Sequence, residues 1–325
     1  MPRAARPVVA AEQQTARIFV GDVARRARDR VEDVAGLPVL RARGLFGQGV
    51  AVAVVDEGIH VESLSTKLRA APELASGPFP ILDVDGSRVA PLPEPFARGR
   101  RSHGSMCAYD ACLAAPGCTL LDLPTHAPRP VGLKRIHLIL AAYDHLHELV
   151  RARRFEHIVV VNAWQTLPSD ALGGRDPEDP RHPLYQALAE LDAAGVDVIF
   201  SAPDHHAERI HGPALHPSVL TVTAVNLDGT PFDSSVERLC PRSGKPDIAN
   251  YQGFAGYELF RNQGDYGTSA ACALTAGQVA AVRSDPRARA LSPAALRSLF
   301  RQSGNDAMPC DGIGIADVER VLDRL

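Results

Sequence analysis

The chain has almost no surplus charge. Its 35 Lys and Arg against 38 Asp and Glu leave a formal net charge of −3, so the electrostatics give no reason to expect a nucleic-acid partner. No apolar run is long enough to span a bilayer, so no membrane partner is expected either. Residues 1–20 carry charges but no apolar h-region, and no secretory signal is read there. The six cysteines (Cys107, Cys112, Cys118, Cys240, Cys272 and Cys310) lack metal-like spacing. As free buried thiols they point to a reducing, cytoplasmic compartment; secreted disulfides are the competing reading. Internal repeats are missing as well, which leaves no ground for a repeat architecture.

What the chain does have is alternation. Apolar runs with strand character cover Val50–Val55, Cys118–Leu123, His157–Asn162, Val196–Ser201 and Val219–Val225. Helical patterns cover His103–Ala115, Gly132–Arg153, His182–Ala194, Ser269–Arg283, Pro293–Gln302 and Ile315–Leu325. In the second of these, Leu133, Ile136, Leu140, Tyr143, Leu146 and Val150 recur at steps of three and four and form one apolar face. Strands alternating with helices predict an α/β fold, with parallel strands and helices on both faces of the sheet. A chain of 325 residues fits one such domain. Residues 38–325 are assigned to it, and residues 1–37 to an N-terminal extension with one helix over 20–34. Leu167–Pro183 and Pro124–Pro130, rich in turn-forming residues, are expected to be loops near a cleft.

Three segments carry candidate chemistry. In Asp265-Tyr-Gly-Thr-Ser-Ala-Ala-Cys272, Ser269 opens a helix of small residues. A serine there is either an N-cap or a hydroxyl beside backbone N–H groups able to hold an oxyanion. Val50-Ala-Val-Ala-Val-Val-Asp56-Glu-Gly58 ends a buried strand on a carboxylate, the position where open α/β sheets keep functional residues. Ser102-His103-Gly-Ser105 puts an imidazole in the first turn of a second small-residue helix. The chain order is Asp, His, Ser. A serine attacks, an imidazole takes its proton, and a carboxylate fixes the imidazole tautomer and steadies the imidazolium.

On these motifs the chain resembles the subtilisin-like serine peptidases, the subtilase family. The resemblance rests on Val54-Val-Asp-Glu-Gly58, His103-Gly-Ser105 and Gly267-Thr-Ser-Ala-Ala271, with weaker matches at His157–Asn162, Gly195–Ala202, His216–Ala224, Lys245–Ala249 and Gly312–Val318. It implies a three-layer αβα fold with a mainly parallel central sheet. It also implies Asp56, His103 and Ser269 as catalytic residues, Asn162, Ala163, Trp164 and Gln165 along the substrate cleft, and Asp204 at the oxyanion hole. A peptide or protein would be the substrate and no cofactor is expected. Calcium, which family members often hold at acidic loops, would fall to Asp176, Glu178 and Asp179, but Pro177 and Pro180 read there as a plain turn. Because Asp56 comes early, little room is expected for a folded propeptide.

The chain departs from the family pattern in places. The oxyanion side chain is usually asparagine, and Ser201-Ala-Pro-Asp204 puts a carboxyl there. An ionised carboxylate has no proton to donate and repels a developing oxyanion; a protonated one can donate. Loss of such a donor costs on the order of 10²- to 10³-fold in kcat. Trp164-Gln-Thr166 replaces the usual small residues of the cleft wall, so the indole either narrows a substrate pocket or packs beneath the 167–183 loop. After the serine the chain reads Ala273-Leu274 in place of Pro-His, which is harmless to the helix. His205, His206, His211 and His216 form either a zinc site or a histidine-rich surface loop. The expected function is an intracellular serine endopeptidase of narrow substrate range. The alternatives are an acyl-transferring processing enzyme and a non-catalytic peptide-binding protein on the same scaffold.

Overall fold

The computed structural model describes residues 31–69, 73–74, 81–82, 88–89, 102–126, 134–167, 170–203, 210–232, 244–258, 264–305 and 313–325. Seven strands form one sheet: β1 (Val50–Asp56), β2 (Glu73–Leu74), β3 (Thr119–Pro124), β4 (His157–Asn162), β5 (Asp197–Ser201), β6 (Val219–Val225) and β7 (Ile248–Tyr251). Their order is β2-β3-β1-β4-β5-β6-β7, and every neighbouring pair is parallel. The strand sequence reverses at β1, which has β3 on one side and β4 on the other. In open parallel sheets a crevice opens at such a reversal, outside the carboxyl ends of the strands.

The helices are α1 (Val31–Val34), α2 (Leu37–Ala42), α3 (Val61–Leu68), α4 (His103–Ala114), α5 (Arg135–Arg151), α6 (Pro183–Ala193), α7 (Gly267–Arg283), α8 (Pro286–Arg289), α9 (Pro293–Ser303) and α10 (Val318–Asp323). They cover both faces, giving the αβα layering expected from the sequence. β1 shows why. All its residues are buried, and successive side chains point to opposite faces. Val50, Val52 and Val54 join a core with α4 and α7, whereas Ala51, Ala53 and Val55 join a core with α5 and α6. A strand covered on both faces has no use for polar alternation, so its sequence is one apolar run.

The two helical layers pack by different means. On one side α4 and α7 are rich in Gly, Ala, Ser and Cys and approach backbone to backbone. A Cβ on Gly277 would lie 2.2 Å from the Ala111 carbonyl oxygen. On the other side α5 fills the space with Ile136, Leu138, Ile139, Tyr143 and Leu146. The far end of α7 is fixed by Arg283, which has no exposed surface. Its guanidinium grips Asp197 at 2.7 and 2.8 Å and donates to the carbonyls of Ala288 (2.8 Å) and Leu291 (2.7 Å). Four of the five N–H donors of this buried cation are thereby used.

Several elements differ from the sequence expectation. β7 is not among the strands expected from the sequence; with four residues, all buried, it has no periodicity to read. The closing helix is confined to Val318–Asp323 because the Asp317 side chain caps it, accepting from the Arg320 N–H at 3.1 Å. Within the helix expected over 20–34, only residues from Val31 onward are described; they form α1, and Val31 packs in the core. Leu133 also lies outside the described residues.

Candidate active site

Asp56 ends β1 beside the strand reversal. Side chains alternate along the strand, so it shares the face of Val54, the face covered by α4 and α7. One carboxylate oxygen accepts the Glu57 N–H at 2.7 Å. The other lies 2.8 Å from His103 Nδ1. The Asp56 carbonyl accepts the N–H groups of Thr125 (2.8 Å) and His126 (3.2 Å), which ties the strand end to the chain leaving β3.

His103 is the first residue of α4. Ser102 caps that helix, its hydroxyl oxygen accepting the Ser105 N–H at 3.0 Å. The same hydroxyl donates its one proton to the Gly58 carbonyl at 2.5 Å. In the 2.7 Å contact between Ser102 and Ser105, Ser105 must therefore be the donor. Ser105 in turn accepts the His60 N–H at 2.7 Å. These bonds clamp the start of α4 to the loop after β1. The approach is so close that a Cβ on Gly104 would sit 2.7 Å from the Gly58 oxygen, which explains the glycine that follows the histidine.

The electrostatics follow from this geometry. Burial alone would push the Asp56 carboxyl up, but the His103 imidazole, by charge and hydrogen bond, holds it below the usual carboxylate range. Burial alone would push His103 down; the Asp56 carboxylate outweighs it and raises the imidazole well above its ordinary 6.5. Nδ1–H is thus committed to Asp56, leaving Nε2 to exchange protons. Cys107, one turn along α4, has its sulfur 3.8 Å from Nδ1 and 3.9 Å from the carboxylate. Burial pushes its thiol up to about 12, so it is neutral at ordinary pH.

Ser269 is the third residue of α7, half-buried, among the N–H groups of the first helical turn that have no helical partner. Gly267, at φ 82°, turns the chain into the helix, and its N–H is held by the Gln252 side chain at 3.2 Å. The Ser269 hydroxyl donates to the Ala163 carbonyl at 3.4 Å. Among the described residues it makes no bond to His103. Serine–histidine contacts are commonly loose without substrate and tighten in the complex. Asp204, expected at the oxyanion hole, lies outside the described residues, as do His205 and His206.

Not all the expected cleft residues face the cleft. Asn162 is fully buried; its Oδ1 accepts from the Tyr143 hydroxyl at 2.8 Å and its amide donates to the Ile199 carbonyl at 3.3 Å. Trp164 packs on Phe200, ring centroids 5.0 Å apart, with the Arg135 guanidinium 5.3 Å from its ring. Both side chains therefore belong to the α5 layer, and this corrects their expected contact with substrate through side chains. Ala163 lies between them and faces the serine helix. Gln165 is half-buried, and its carbonyl accepts from Arg135 at 2.8 Å. Strand parity was the available signal: Asn162 and Trp164 sit in phase with Ile158 and Val160, out of phase with Val159 and Val161. His216 is also corrected from the surface-loop reading. It is buried, pushed down to about 4 chiefly by that burial, with its ring 4.2 Å from Tyr185.

Two features escaped the sequence reading. Asp122 on β3 is in register with Val54; it accepts the Ile59 N–H at 3.2 Å and is pushed up to about 6, by burial first and by the Asp56 charge as well. Its signal was a lone carboxylate in an apolar run. His126 accepts from Arg135 through Nε2 at 2.8 Å, so its proton is on Nδ1, 3.0 Å from the Thr125 hydroxyl. Arg135 also pairs with buried Asp170 of the 167–183 loop.

Among the described residues, one group could hold a metal: Asp56, His103 and Cys107, with ligand atoms within 4.8 Å of one another. Here the carboxylate and Nδ1 are engaged with each other and the thiol is protonated. In the acidic loop, Asp176 accepts the Glu178 N–H at 2.9 Å and Asp179 accepts the Arg181 N–H at 2.8 Å. Asp179 also meets the Arg181 guanidinium at 2.8 Å.

A parallel αβα sheet with a paired carboxylate and imidazole at its switch point, and a hydroxyl against the residue that follows the neighbouring strand β4, suits a serine-type hydrolase. The Subtilase family model matches residues 150–314, and the chain belongs to that family of serine-type peptidases. The matched region contains Ser269 but neither Asp56 nor His103. No curated protein matches the sequence. Among solved structures, MycP1 from the ESX-1 type VII secretion system is similar at TM-score 0.59 and 16% identity, over 91% of this chain and 85% of that one. The prenylagaramide maturation protease PagA is similar at TM-score 0.58 and 17% identity, over 89% of this chain and 97% of that one. A mutant of the protease domain of PatA follows at 0.57 and 18%, over 86% and 96%. No helix among the described residues is long and apolar enough to cross a membrane.

Proposed function

We propose that the chain is a serine endopeptidase of narrow substrate range, working through an acyl-enzyme on Ser269. The observation that carries this is the 2.8 Å contact between buried Asp56 and His103 Nδ1, which leaves Nε2 to serve a hydroxyl in the first turn of α7. Ser269 Oγ attacks the peptide carbonyl carbon as Nε2 takes its proton. The tetrahedral intermediate collapses, the C–N bond breaks, and Nε2 gives the proton to the leaving amine. Water then repeats the attack, losing a proton to Nε2, and the acid product leaves with the serine hydroxyl restored. The Ser269 N–H in the first turn of α7, with Asp204 by its place in the sequence, would face the oxyanion.

Substrate contacts of residues 162–165 would run through the Ala163 and Gln165 backbone and the half-buried Gln165 side chain, since Asn162 and Trp164 turn inward. A processing role draws support from PagA, a maturation protease. Cys107, Cys112 and Cys272, free and buried thiols, support a reducing, cytoplasmic setting. A fluorophosphonate probe tests the reading: the wild type is expected to be labelled and Ser269→Ala not. An unlabelled wild type would sink it. Asp204→Asn is expected to raise kcat at neutral pH by restoring a permanent donor; an unchanged or lower kcat would remove Asp204 from the oxyanion site.

A further inference from the structure

Two turns beyond His103 on α4 sits Asp110, with no exposed surface. Neither of its carboxyl oxygens meets a donor among the described residues. Its neighbour is another buried acid, Asp265, four residues before Ser269. A Cβ on Gly256 would lie 2.0 Å from Asp265 Oδ2 and 3.4 Å from Asp110 Oδ1, so glycine leaves the space that the two carboxyls occupy. Asp265 itself is well supplied with donors. It accepts the N–H of Tyr257 and, at 2.7 Å, that of Glu258. Its backbone pairs with Phe254 and Gly253, the Gly253 N–H reaching its carbonyl at 2.7 Å. The whole 253–258 turn is thus organised around Asp265, and the chain runs from it straight into Gly267 and Ser269.

Two ionised carboxylates only accept hydrogen bonds and cannot bond each other. A buried ionised carboxylate without a donor is also strongly disfavoured. Both costs vanish if Asp110 keeps a proton and gives it to Asp265. Burial first, and the Asp265 charge second, favour the protonated form of Asp110 well above its ordinary 3.8. Asp265 is raised by burial, an effect opposed by the Asp110 hydrogen bond, by the Tyr257 and Glu258 N–H groups and by Lys67. Among the described residues, Cys112 and Tyr109 also face the pair and neither brings a cation; Lys67 is engaged with Glu258 at 3.4 Å. Two such coupled acids titrate as one unit.

We propose that Asp110 and Asp265 share one proton, and that this acid pair is a positioning device holding α4, with His103 at its head, against the turn that delivers Ser269. This role in catalysis rests on the reading of His103 as base and Ser269 as nucleophile. The existence of the pair does not. Deprotonation at alkaline pH puts two like charges into one buried site and forces the helix and the turn apart.

The test compares the wild type with Asp110→Asn, whose amide donates to Asp265 but has no proton to lose, and with Asp265→Asn as a second variant. Infrared spectra of the wild type at neutral pH are expected to contain the carbonyl band of a buried protonated carboxyl, absent in either variant. No such band in the wild type, or one that persists in both variants, overturns the proposal. Thermal melting is expected to favour Asp110→Asn over the wild type increasingly as pH rises. A folded-state value raised above 3.8 gives stability that is full below 3.8 and lost on the way up, and asparagine is not subject to that loss. At neutral pH kcat/KM of Asp110→Asn is expected within about twofold of the wild type, with activity retained on the alkaline side where the wild type falls. Superimposed pH profiles would overturn the positioning role. An unlabelled serine alongside an intact infrared band would instead sink the catalytic reading and leave the pair standing.

Discussion

The two helical layers of this molecule solve the same packing problem in opposite ways. The α4–α7 layer is made of small residues and closes by backbone contact, down to Gly277 against Ala111. The α5–α6 layer is made of large ones, with Tyr143, Trp164, Phe200 and Leu146 filling the gap to the sheet. The proposed catalytic groups sit on the tight side. Close approach is what lets the first turns of two helices reach the ends of β1 and β4 together. Bulky side chains would hold those helix ends farther from the strands. The layer of large residues keeps its polar groups, such as Asn162 and Arg135, for internal bonding.

The largest effect that separates the layers is expected from Ser269→Ala. Loss of the nucleophile on the tight side should lower kcat on the order of 10⁶-fold with little change in Tm; residual activity near the wild-type level would place the nucleophile elsewhere. Leu146→Ala, on the other side, removes a fully buried side chain and should cost about 2–5 kcal/mol in chemical denaturation. Its kcat should stay near the wild-type value, and a large fall would break the division of labour. Gly277→Ala does the reverse, adding a methyl where there is no room, and should cost about 1–3 kcal/mol while lowering kcat too, because it spreads the two helices. A stable, fully active Gly277→Ala would mean that the contact is not tight. Finally, His103 is raised above 6.5 and must be neutral to act as base, so kcat/KM should climb with pH through an apparent value above 6.5. A climb centred below 6.5 would show that burial outweighs Asp56.

Much of this was legible in the sequence for physical reasons. β1 and β4 are long apolar runs because both their faces are covered, and such runs stand out. Asp56 and His103 could be placed because a strand end and a helix start are local features. The direction of Asn162 and Trp164 was also there to be read, since parity with Ile158 and Val160 turns them from the cleft. β7 was hidden because four buried residues carry no period. The acid pair was hidden for another reason: Asp110 looks like a polar residue of a helix and Asp265 like one of a turn. Only the crossing of α4 with the chain before α7 brings them together. Asp204 was aligned through the strand before it, and its surroundings fall outside the described residues.

The strand order has a consequence for how the molecule comes into being. β1 is made early, yet both its partners are made later, and α7, which touches β1, β4, β5, β6 and β7, is made near the end. Contacts this distant along the chain close slowly, because loop entropy opposes them until the sheet is nearly complete. During synthesis the histidine and aspartate can meet well before the serine emerges. On the proposed reading the nucleophile thus joins its base late in assembly, and a half-made chain cannot digest its neighbours.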